Sequence, residues 1–144
     1  MILYILLMAH FLADFTFQTT KLAQRKFDQF KYLICHAFIY AAVFLVTIFP
    51  FIEWNKAIMP YSIIVFSHFF IDWIRKLVDK KFRRKSILFA SFILDQVLHV
   101  IIIVVSYYAF ALAAETTRLY AYIQQWPHFN NIVIYSLTFV ILWD

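Results

Sequence analysis

Long apolar runs separated by short charged stretches dominate this chain. They cover Ile2 to Phe17, Tyr32 to Ile52, Ile58 to Ile74 and Ile87 to Ala114, and a fifth begins at Ile132 and stops with the chain at Trp143-Asp144. The first four approach or exceed the ~20 residues with which an α-helix crosses a ~30 Å hydrocarbon core. At 1.5 Å per residue the fifth covers only about 20 Å, a partial span. The pattern predicts an all-α fold, with residues 1–144 forming a single membrane domain: a polytopic bundle of four or five transmembrane helices. Between the fourth and fifth runs, Leu119, Tyr122, Ile123 and Trp126 recur at helical spacing with Arg118, Gln124 and Gln125 among them. That stretch fits either an interfacial helix or an amphipathic loop. The first run has no Lys or Arg before it and no small-x-small site after it, so a retained helix is expected rather than a signal peptide.

The basic residues orient the bundle. Eleven of the thirteen Lys and Arg fall in two connections, Lys21 to Lys31 and Arg75 to Lys85, while Lys56 and Arg118 lie in the other two beside Glu53 and Glu115. The positive-inside rule then puts the first and third connections in the cytoplasm and the N-terminus outside. A multi-pass protein of the cell inner (cytoplasmic) membrane is expected, with the bilayer as its first partner and no nucleic acid. The Arg75–Lys85 connection would also attract anionic lipid headgroups, although topology alone accounts for its charge.

Composition agrees. The chain is 65% hydrophobic, 22% aromatic and 15% charged, with a mean hydropathy of +0.78, whereas a soluble domain carries about 25% charged residues. Glycine is absent, which excludes a P-loop, a dinucleotide fingerprint and G-x-x-x-G helix crossings. One cysteine, Cys35, excludes an intrachain disulfide and a thiolate metal cluster and is expected to pack as a small hydrophobe.

The residues that change the picture are charged ones inside the apolar runs. An Asp at the centre of a membrane helix costs about 2.5–3.5 kcal/mol to insert, and such residues mark function by default. Here there are three, and each has a histidine four residues away on the same helix face: His10/Asp14, His68/Asp72 and Asp95/His99. Chance would give about 0.4 such pairs. Because the helices alternate in direction, each carboxylate lies about 6 Å nearer the cytoplasm than its histidine. His36, near the start of the second run, lies at a similar depth. These seven residues, His10, Asp14, His36, His68, Asp72, Asp95 and His99, are the candidate metal ligands, and Asp14, Asp72 and Asp95 are also the candidate catalytic groups. Gln18, Tyr40 and Gln96 are candidates to orient them. The seven are expected to converge in one polar cavity open toward the cytoplasm. The Asp95/His99 face should turn inward, with Ile101, Ile102 and Val105 meeting lipid or neighbouring helices elsewhere around the helix. His128, beyond Pro127, is expected to play no part.

The segment His10-Phe-Leu-Ala-Asp-Phe-Thr-Phe-Gln18, His36, the stretch Ser67-His68-Phe-Phe-Ile-Asp72 and the stretch Asp95-Gln96-Val-Leu-His99 together resemble the bacterial and phage integral-membrane family called domain of unknown function 3307. The resemblance covers most of Met1 to Ser106 and implies a membrane protein without an established activity. A weaker likeness is to membrane-bound metal-dependent hydrolases.

Mixed imidazole and carboxylate ligands suit zinc, manganese or iron better than magnesium, so a divalent metal, zinc or manganese, is the expected cofactor. Three readings stay open. One is a metal-dependent hydrolase acting at the inner leaflet, one a proton or metal-ion transporter or relay, and one a structural or accessory membrane protein whose helices the His–Asp contacts lock together.

Overall fold

The structure, a computed structural model, describes residues 1–143; the end of the fifth run at Asp144 lies outside them. Helix α1 (Ile2–Phe11) widens into one π turn over Leu12–Thr16, closed by the Phe17 amide on the Leu12 carbonyl at 2.8 Å. The backbone then turns by 87° into α2 (Thr20–Asp28), whose first turn is capped by Thr19, its Oγ1 accepting the Leu22 amide at 3.3 Å. The sequence pattern treated α2 as part of a charged connection. It is instead a short amphipathic helix folded against the two helices that follow it.

Helices α3 (Phe30–Ile48), α4 (Trp54–Lys81) and α5 (Lys85–Ala109) are each long and apolar enough to cross a membrane, and α1 with α2 makes a fourth, bent candidate. Against the four or five spans expected, the described residues thus offer three candidates, or four with the bent pair. The fifth apolar run forms α7 (Phe129–Trp143), which packs along α1. Between α5 and α7, the amphipathic stretch holds one short helix, α6 (Arg118–Ile123), set in turns. The basic connection after the third run is mostly helical: α4 continues seven residues past Ile74, leaving only Phe82 to Arg84 as a turn. Amides near a helix end have carbonyls four residues back to bond, so a charged sequence without Pro or Gly has no reason to stop the helix sooner.

The bundle is apolar outside and divided inside. Phe38, Val46, Phe66, Phe89 and Tyr108 are 66–72% exposed on its outer surface. Inside, the half nearest Met1 is filled by Ile2, Leu6, Phe44, Ile48, Ile64 and Ile103, all buried. The other half, next to the basic turn between α4 and α5, buries His10, Asp14, His36, His68, Asp72, Asp95 and His99. Ile101 and Val105 are exposed on the opposite face of α5, and Cys35, expected to pack inside, is exposed on α3. Cys35 adjoins the buried His36, and one residue along a helix turns a side chain by about 100°.

The turn after α3 is tied to the segment before α6. Ile52 and Thr116 form an isolated antiparallel bridge, the Thr117 hydroxyl donates to the Pro50 carbonyl at 2.7 Å, and Lys56 pairs with Glu115 at 3.1 Å. Helix α5 ends in a Schellman motif, with the Leu112 amide on the Tyr107 carbonyl at 3.1 Å and the Ala111 amide on that of Tyr108 at 3.2 Å. Such caps favour glycine, and this chain has none; Ala111 takes the left-handed position at φ 48°, which costs a residue with a Cβ about 1–2 kcal/mol. Ala111→Gly should therefore raise stability by about 1 kcal/mol. The measurement is the unfolding midpoint in detergent, and an unchanged or lower value would contradict a strained cap.

Candidate functional site

Each polar residue of the cluster is placed by helix register. On α4, His68, Asp72, Arg75 and Asp79 follow at spacings of four, three and four, one stripe facing the bundle axis. On α5, Asp95 and His99 face the same axis. On the first helix the π turn carries Asp14, inserting extra reach exactly one turn after His10; π segments of this kind are frequent at functional sites.

The tightest part of the cluster joins three helices. His36 Nε2 and His68 Nε2 lie 3.0 Å apart. Both approach Asp14 Oδ1, at 3.3 and 3.5 Å, and Asp72 Oδ2, at 3.4 and 3.7 Å. Around these four atoms the remaining candidates make an outer layer. His10 Nδ1 is 3.9 Å from Asp14 Oδ2 and 3.3 Å from the Tyr40 hydroxyl. His99 Nε2 is 3.6 Å from Asp95 Oδ1. The His68 ring is held between Tyr40, stacked at 3.5 Å and 10°, and His99 at 4.2 Å. Gln96 donates to Asp95 at 3.1 Å and to Asp14 at 3.4 Å, bridging α5 to the π turn. Gln18 touches His36 Nδ1 through its amide at 2.8 Å. If the amide nitrogen donates, His36 carries its proton on Nε2; with the amide turned over, Nδ1 donates to its oxygen and Nε2 is left as a ligand lone pair.

Two cations that the sequence pattern assigns to the charged connections enter this site. Lys26, buried on α2, sets its Nζ 2.9 and 3.1 Å from the two carboxylate oxygens of Asp72. Arg75 donates from Nη1 to Asp95 Oδ2 at 3.1 Å, places Nε 3.4 Å from Asp79 and lies over the Phe92 ring at 5.0 Å. Arg75 was legible as the third member of the α4 stripe. Lys26 was not, because its position depends on the 87° bend.

The candidates converge, but they do not line one open cavity. They pack on one another, and several buried polar atoms, among them His10 Nε2, His68 Nδ1, Asp95 Oδ1 and His99 Nε2, have no hydrogen-bond partner among the described residues. Asp14 alone of the seven borders a cleft of about 280 Å³, whose walls include Gln18, Lys26, Arg75, Phe92 and Gln96. The cavity expected to hold all seven is thus corrected to a packed cluster with a cleft at its rim, because large imidazole and phenol rings fill the axis. His128 is exposed in the turn before α7.

Three overlapping sets, His10/Asp14/His68, His36/His68/Asp72 and Asp72/Asp95/His99, each present ligand atoms within 4.8 Å of one another and could hold a metal ion. Orphaned imidazole nitrogens and carboxylate oxygens are the donor chemistry that a zinc or manganese ion takes.

An all-helical bundle with apolar spans and a buried His/Asp cluster is the class these features define. Within it, residues 2–130 match the family described as protein of unknown function (DUF3307), and the chain belongs to that family. No curated protein and no solved structure matches it. The match runs beyond Ser106, where the resemblance read from the sequence ends, and takes in α6.

Removing a single partner of a buried ion pair costs about 3–5 kcal/mol because the other charge is stranded. Lys26→Met should lower stability by about 3 kcal/mol, and the double variant Lys26→Met/Asp72→Asn should recover most of that loss. Unfolding of these two variants, of Asp72→Asn and of the wild type in detergent gives the coupling energy; simply additive losses would show that the two side chains do not act as a pair.

Proposed function

We propose that this is a multi-pass protein of the cytoplasmic membrane, N-terminus outside, whose His/Asp cluster is a divalent metal centre serving hydrolysis at the inner leaflet. The membrane part rests on the apolar outer surface and on the basic end of the bundle. Charged side chains gather where α2 and the α4–α5 turn meet, as positive-inside topology requires of a cytoplasmic face.

The observation that carries the metal reading is the group of His36 Nε2, His68 Nε2, Asp14 Oδ1 and Asp72 Oδ2, in which the two imidazole nitrogens lie 3.0 Å apart and each lies 3.3–3.7 Å from both carboxylate oxygens. A tetrahedral ion with bonds of 2.0–2.1 Å sets its ligands about 3.3 Å apart. Zinc suits this nitrogen and oxygen set, and manganese is the alternative. Holding all four atoms, such an ion would take a water only by expanding to five coordinates; it would then lower that water's pKa toward ~7 and polarise a phosphoryl or carbonyl oxygen. Gln18 and Tyr40 would orient His36 and His10, and Gln96 would hold the Asp14 carboxylate toward the cleft. Asp95 is the carboxylate outside the four-atom group, beside His99 Nε2 and Arg75, and would accept the proton.

A relay or transporter would need the cluster to reach the opposite face. Ile2, Leu6, Phe44, Ile48, Ile64 and Ile103 fill that half of the bundle, which favours a site served from one side.

Protein purified without immobilised-metal chromatography should carry zinc or manganese near one equivalent per chain by elemental analysis. Asp14→Asn and Asp72→Asn should lose it, and Asp95→Asn, outside the four-atom group, should lose less. Ligand imidazoles must be neutral and carboxylates ionised, so metal affinity should fall as pH drops through the histidine range. Wild-type protein that stays metal-free and gains no thermal stability from added ions would leave the relay or the structural network as the reading. For orientation, Lys80→Cys in a Cys35→Ser background should react with an impermeant thiol reagent only after the membrane is opened. Labelling of intact cells would reverse the topology.

A further inference from the structure

Arg75 stands where three hollows meet. It lines the cleft beside Asp14 and a wider hollow of about 800 Å³ shared with Lys80, Arg83, Asp28 and Asp79. It also lines an apolar groove of about 120 Å³ between α4 and α5, walled by Ile74, Val78, Leu94 and Leu98. The wide hollow brings three cations against two carboxylates. Ile74 and Leu94 are 56% and 58% exposed, so the groove opens onto the outer apolar surface of the bundle, where acyl chains would run. Six residues separate Arg75 from the end of α4 at Lys81, a depth of about 9 Å that an arginine spans readily at a membrane interface.

One molecule fits this junction better than two. A guanidinium with nearby ammonium and guanidinium groups recognises an oxyanion, phosphate above all, through charge-assisted hydrogen bonds. An apolar groove continuous with that group accepts the first methylenes of a chain. Arg75 is already oriented for such a ligand by Asp79, Asp95 and the Phe92 ring.

We propose that the Arg75 junction binds a membrane lipid with a phosphate head group, the phosphate against Arg75, Lys80 and Arg83 and part of one chain in the α4–α5 groove. This rests on the membrane placement in the function proposed above and not on its metal. It names the substrate class for that site, because the same arginine forms a wall of the cleft at Asp14. A soluble phosphate compound would leave the groove unused, and a neutral lipid would bring no oxyanion to the three cations.

The test uses the full chain in detergent, stripped with chelator so that metal plays no part, and native mass spectrometry to count retained ligand. The probes are dioleoyl phosphatidic acid, dioleoylglycerol as its uncharged twin, and inorganic phosphate as its chainless one. Phosphatidic acid should be retained at about tenfold lower concentration than dioleoylglycerol, and phosphate should leave no adduct. Leu94→Trp, which fills the groove from an exposed position, and Arg75→Gln should each weaken phosphatidic acid retention about tenfold. Should Arg75→Gln fail to fold, Lys80→Gln/Arg83→Gln replaces it, since both side chains are exposed. Equal retention of the charged and neutral lipids overturns the proposal, as does wild-type retention by Leu94→Trp. Phosphate held as firmly as the lipid would instead define a site for free anions. Because the protein is metal-free throughout, a failed metal assignment leaves these outcomes readable.

Discussion

An ionised carboxylate surrounded by apolar side chains must find a cation or a close set of hydrogen-bond donors, and three such carboxylates govern how this bundle is built. Asp14, Asp72 and Asp95 are each 7% exposed or less. Asp72 is met by Lys26 and Asp95 by Arg75, and Asp14 is surrounded by three imidazoles and Gln96. Supplying Lys26 requires the chain to leave the first helix at a sharp angle and lay α2 back across α3 and α4. Supplying Arg75 requires α4 to continue beyond its apolar run. Two departures from a plain bundle of straight spans thus answer one electrostatic demand, since a buried charge stripped of its partner costs several kcal/mol.

The same demand explains how the interior is filled. The chain has no glycine, and beside the buried alanines the axis is packed by rings: Tyr40 stacks on Phe44 at 4.6 Å and on His68 at 3.5 Å. A ring stacked at that distance holds an imidazole in one orientation while leaving its Nε2 to face Asp14 and Asp72. The aromatic packing therefore acts as the frame of the polar cluster. Above it, the Met1 half is mostly aliphatic and aromatic, with Ser106 buried among these side chains, and the ionisable cluster sits at the basic end.

Arg75 connects the buried cluster to the surface. It contacts Asp95 inside the bundle and Asp79 near the rim, and it borders the cleft, the basic hollow and the apolar groove. Charge neutralisation and ligand recognition would then fall to one side chain, so a substitution there acts on both, whereas changes at Leu94 or Lys80 separate them. For a family without an assigned activity, that separation makes the outer hollow and the inner cluster independently approachable.

Period and composition alone determined that the chain is all-helical, where its apolar helices lie to within a few residues, and which faces of them are polar. These follow from local rules: an i, i+4 pair such as His68/Asp72 shares a face whatever surrounds it, and a run such as Ile87–Ala114 can be little else than helix. The α4 stripe was also written there in full, Arg75 and Asp79 included, but the positive-inside reading absorbed those charges as loop. What only the tertiary structure decided is long-range. The π turn at Asp14, the bend after Phe17 and the burial of Lys26 against a residue 46 positions away depend on which helix packs on which, and no local pattern encodes that. Whether the seven candidates surround an open cavity or a filled one was likewise a question of ring packing, settled by Tyr40 and His68 meeting face to face across two helices.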